Sequence, residues 1–74
     1  MVMMDSSVSH QATKLLKDNV ALARHYNILP WYLKEFKRIE NSDCTPRTNP
    51  FQLLKICNNA RRSLLIEINE RFPK

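Results

Sequence analysis

No glycine occurs anywhere in this 74-residue chain, and that omission narrows the folds open to it more than any motif does. Tight hairpins and phosphate-cradling loops draw on glycine for positive φ and close backbone approach. No alternating apolar–polar run of convincing length appears either. The apolar residues recur instead at threes and fours, so the chain reads as all-α, a compact three-helix bundle forming one domain over residues 1–74. A chain of this size builds one modest core, and a second copy or a bound partner is a natural source of added stability. Hydrophobic residues at 43% and charged residues at 26% are the balance of a folded chain and exclude wholesale disorder.

Three helices can be drawn, over about 8–26, 30–41 and 50–71, with residues 1–6 expected to be flexible. The first starts at a capping Ser7 or Ser9 and carries Val8, Ala12, Leu15, Leu16, Leu22, Ala23 and Tyr26 at helical spacing. Val20 and Ala21 widen the stripe, which predicts a central helix packed on two sides. Pro30 suits the first turn of the second helix, whose core side is expected to hold Tyr32, Leu33, Phe36 and Ile39. Asn41-Ser42-Asp43 ends it, and Cys44 to Asn49 reads as a polar loop containing Pro46. Asn49-Pro50 is a capping side chain followed by proline, and Pro73 stops the third helix. Its core face is expected to hold Leu53, Leu54, Cys57, Ala60, Leu64, Leu65, Ile68 and Phe72.

A helical wheel leaves three misfits. Trp31 points away from the Tyr32 side, toward Lys34, Glu35 and Arg38. Ile66 falls among Asn59, Arg62 and Glu70, and Arg61 falls near the middle of an apolar face. Each has a plain structural reading: Trp31 folding over the end of the first helix, Ile66 as a scattered exposed residue, Arg61 snorkelling to water. Each also has a functional one, since an indole beside charged residues is common on binding surfaces.

Twelve Lys and Arg against seven Asp and Glu give a formal net charge of +5, which favours phosphates or acidic protein surfaces as partners. Met1-Val2-Met3-Met4 is too short for a signal-peptide apolar region, and no apolar run reaches membrane-spanning length. The expectation is an intracellular, cytoplasmic protein, nuclear in a eukaryote, that makes no membrane contact. Cys44 and Cys57 fit that setting as free thiols. With His10 and His25 they could supply four metal ligands, but the spacing matches no paired zinc motif, so neither a metal nor another cofactor is expected. No Ser-His-Asp order, close acid pair or phosphate loop is present, and the chain is not expected to be an enzyme.

One segment points to a particular activity. Ala23 is a small residue suited to a close helix crossing, Asn27 tolerates the left-handed turn, and Ile28 can plug the space between helices. Leu33 and Phe36 then follow at the offsets where a second helix faces the first. Over Val20 to Arg38 the chain resembles the helix-turn-helix superfamily of DNA-binding proteins. The resemblance implies that the first two helices form the pair, that the second enters the major groove, and that the chain is a small transcriptional regulator. Carried to matching positions, it places Trp31, Lys34, Glu35 and Arg38 toward DNA, with Lys37 as a further phosphate contact. The turn lacks the usual glycine, and Leu29 stands where a Ser or Thr cap is common.

The alternative is a small helical protein-interaction module (an inhibitor, adaptor or accessory subunit) docking on a larger protein. Trp31 and Ile66 then become apolar anchors, and Arg61 a partner for a carboxylate. A homodimer is a further expectation, with the third helix, including Arg61, Leu65, Ile66 and Phe72, as its interface.

Overall fold

The computed structural model of the protein describes the backbone of residues 2–42 and 50–73 and the side chains of residues 8–42 and 50–73. The described residues form three helices, α1 (Val2–His25), α2 (Leu29–Ser42) and α3 (Pro50–Arg71), and no strand occurs among them. The protein is an all-α three-helix bundle. The polar loop, Cys44 and the Asn49 cap expected from the sequence lie outside the described residues.

α1 begins at Val2, ahead of the start expected at Ser7 or Ser9, so residues 2–6, expected to be flexible, are helical. Serine caps helices well but costs little inside one, so it does not oblige a helix to start there. At the other end the chain turns where the sequence places it. Asn27 adopts φ 59°, in the left-handed region that asparagine tolerates better than other non-glycine residues. The Ile28 amide donates to the Ala23 carbonyl at 2.9 Å and the Asn27 amide to the Arg24 carbonyl at 3.1 Å. This pair of bonds is a Schellman motif, and the apolar contact that accompanies it is made by Ile28 against Ala23. Ile28 also opens the next helix, its carbonyl accepting from the Tyr32 amide at 2.9 Å. Helix end and helix start thus share one residue, and α2 doubles back.

The fully buried apolar residues are Ala12, Ala23, Ile28, Tyr32, Ile56, Cys57, Ala60 and Leu64. Three alanines and a cysteine among them let helix backbones approach closely. α3 is the helix on which both others pack, in place of the central α1 that the wide apolar stripe predicts. α1 lies along α3 in the same direction, with Ala12 against Cys57 at one end and Tyr26 against Phe72 at the other. The extra width of the α1 stripe is only half-buried, and Ala21 is exposed.

Two further expectations are corrected. Leu33 is 53% exposed, while Trp31 packs half-buried against the core cluster. Turning α2 so that Tyr32 is buried and Trp31 half-buried removes more apolar area from water than burying Leu33 does. On α3, Leu65 and Phe72 are about half exposed and Ile56, absent from the expected core face, is buried.

Candidate docking surface

The site is built from α2 outward. Glu35 lies one turn beyond Tyr32, near the inward line of the helix, and only 17% of its side chain is exposed. Its carboxylate accepts two hydrogen bonds from Arg38, from Nε at 2.9 Å and from Nη2 at 2.6 Å, a bidentate pair within one turn. These bonds hold the Glu35 carboxyl below the usual carboxylate range against the opposing effect of burial, and the Ser63 hydroxyl lowers it further. The same pairing raises the Arg38 pKa. Ser63 belongs to α3, so it fixes which flanks of the two helices adjoin.

The consequence follows from helical phase. On α3, Asn59, Ile66 and Glu70 lie on the solvent side of Ser63, with Arg62 next to them. On α2, Trp31, Lys34 and Arg38 lie on the solvent side of Glu35. The two groups of wheel misfits, separate in sequence, therefore lie on adjoining flanks of α2 and α3, on either side of the seam between them. Ile66 is 56% exposed on its flank, and Trp31 on the α2 flank is half-buried against the core cluster.

The other candidates go elsewhere. Lys37 is exposed farther round α2, away from the seam. Leu65 lies on the α1 side of α3, as does Phe72, whose ring lies tilted against Tyr26 with centroids 5.2 Å apart. Arg61 turns inward: its Nη1 donates to Asn19 Oδ1 at 3.1 Å. Asn19 is fully buried, and its Nδ2 donates to the Cys57 carbonyl at 3.1 Å. The sequence reading missed Asn19, although a polar residue four after Leu15 and four before Ala23 sits within the apolar stripe and signals a buried polar group.

Around Asn19 the three helices share a small polar centre. The Tyr32 hydroxyl, also buried, makes no hydrogen bond of good geometry with any described residue. Burial raises its pKa, with the nearby Asn19 amide offsetting part of the shift. Burial also pushes the Cys57 thiol up to about 11, which leaves it protonated and unreactive at neutral pH. His10 and His25 are exposed and lie about 22 Å apart at the rise of an α-helix, too far to share a metal ion. Among the described residues no group of three or more His, Cys, Asp or Glu is placed to hold a metal.

A shallow cleft of about 420 Å³ lies beside the α1–α2 turn, lined by Arg24, Asn27, Leu29 and Pro30. Among the described residues, no helix is long and apolar enough to cross a membrane. No protein-family model, curated protein or solved structure matches the chain.

Proposed function

We propose that this protein is a helical docking module that binds a protein partner through the α2–α3 seam. The observation that carries this is Ile66, more than half exposed on the flank of α3 that adjoins the flank of α2 holding the half-buried Trp31, with the exposed Lys34, Arg38, Arg62 and Glu70 on the same two flanks. An apolar anchor with a polar rim is the common anatomy of a protein interface. The small core adds support, since a bound partner supplies burial that a chain of this size lacks. The setting is intracellular in this reading, with Cys57 a free, buried thiol.

Site-specific photo-crosslinking tests the proposal. A benzoylphenylalanine in place of Ile66 is expected to capture a discrete protein adduct in lysate. The same group in place of Lys17, exposed on α1, is expected to capture none. Equal labelling at both positions, or none at Ile66, counts against docking at the seam. An adduct between two copies of this chain identifies the homodimer instead.

DNA binding is the second reading, favoured by the α1–α2 pair and its Schellman turn at Asn27. Lys34, Lys37 and Arg38 would then contact phosphates or base edges, which leaves Trp31 and Glu35 as structural members of the pair. Anisotropy titration of mixed duplex DNA at two salt concentrations tests it. Affinity that falls steeply with salt, and again for Lys34→Ala with Arg38→Ala, supports a DNA-binding regulator over a docking module.

A further inference from the structure

Outward-facing charge on α2 and α3 is almost entirely of one sign. Among the described residues of these helices, Lys34, Lys37, Arg38, Lys55, Arg62 and Arg71 are exposed, and Glu70 is the one exposed acid. Glu35 is paired with Arg38, Glu67 is paired with Arg71, and Glu40 is half-buried. On this surface the seam carries Ile66 and the half-buried Trp31, with the cations Lys34, Arg38 and Arg62 and the single exposed acid Glu70. Two adjacent helices leave a groove between their side-chain ridges. Such a groove accepts a third helix with its apolar stripe inward.

We propose that the α2–α3 groove binds an acidic amphipathic helix. Ile66 and Trp31 take its apolar stripe, while Lys34, Arg38 and Arg62 face its flanking carboxylates. The proposal rests on the docking reading above and adds the chemistry of the partner. Complementary charge steers such a helix to the site and rejects a basic one. Duplex DNA also fits less well, because phosphates give an exposed isoleucine nothing to pack on.

Trp31 is the one tryptophan in the chain, so its emission reports directly on the groove. The probes are two synthetic helical peptides of about 20 residues, long enough to hold a helix. Both carry the same leucine stripe, flanked by glutamates in one and lysines in the other, and a mixed DNA duplex is the third probe. The glutamate peptide is expected to shift Trp31 emission to the blue and to saturate, while the lysine peptide leaves it unmoved. Affinity for the glutamate peptide falls by about tenfold or more in Lys34→Glu with Arg62→Glu. Ile66→Asp lowers it similarly, and circular dichroism confirms that both variants keep their helices.

An equal response to both peptides overturns the acidic partner and leaves docking at the seam standing. A response to DNA without one to the glutamate peptide overturns the proposal in favour of nucleic acid. Silence with all three probes overturns it as well. Crosslinking at position 66 then shows whether the docking reading falls with it.

Discussion

Arg61 donates from Nη1 to the Oδ1 of the fully buried Asn19 at 3.1 Å, joining a cation on the apolar side of α3 to a polar residue inside the stripe of α1. Each residue accounts for the other. Asn19 spends its amide on the Cys57 carbonyl, so its remaining oxygen needs a donor, and Arg61 supplies one while its stem covers apolar surface. A buried acceptor left without a partner costs more than the bond itself contributes.

Arg61→Ala is therefore expected to destabilise the protein by about 1–3 kcal/mol. Asn19→Leu with Arg61→Met, which removes both polar partners and keeps the volume, is expected to recover much of that loss. Urea denaturation of Asn19→Leu, Arg61→Met and the double variant gives the coupling energy. A coupling near zero would mean that the bond contributes nothing.

The left-handed turn at Asn27 carries a second expectation. Asn27→Val places a β-branched side chain at φ 59°, and thermal unfolding should show a loss of about 1–2 kcal/mol. Asn27→Gly should stay within about 1 kcal/mol of the parent, because freedom at positive φ is offset by greater disorder in the unfolded chain. Equal stability of the valine and glycine variants would contradict the Schellman geometry.

The Glu35–Arg38 pair separates the two functional readings. Glu35→Ala releases an Arg38 side chain that is 66% exposed, at little cost in stability because the guanidinium already lies in solvent. A DNA-binding α2 gains duplex affinity from the released guanidinium. A docking seam shows no such gain, and circular dichroism with anisotropy on one sample decides between them.

Cys57 sets the alkaline limb of stability. Its folded-state pKa is raised to about 11, above the ordinary thiol range of about 8.5, so the unfolded chain loses the proton first. Stability is then fully present below about pH 8.5 and is lost as pH climbs toward about 11. The raised Tyr32 pKa acts in the same direction at higher pH. Cys57→Ala is expected to flatten the fall in melting temperature between these limits, and an unchanged slope would remove the thiol as its cause.

Much of the fold was legible in the residues. Absent glycine and spacing at threes and fours led to three helices, and Pro30, Asn27 and Pro73 located the α1–α2 turn and the end of α3. These features are local: φ preferences, missing N–H groups and near-neighbour spacing act within a few residues and need no partner helix. The candidate site was legible only in pieces. The wheel marked Trp31 and Ile66 as misfits, but nothing in the sequence says that their flanks adjoin.

Only the packed bundle decides that. A helix fixes the angle between its own residues and leaves its rotation about its axis free. That rotation is settled by the sum of burial over all three helices. Packing Trp31 and Tyr32 together sends Leu33 outward, and the need of Asn19 for a donor turns Arg61 inward. With Ser63 against Glu35, the seam acquires its one exposed isoleucine. The sequence alone determined the helices and the turn; the tertiary structure decided which faces meet, because burial is a property of the assembly and not of any single helix.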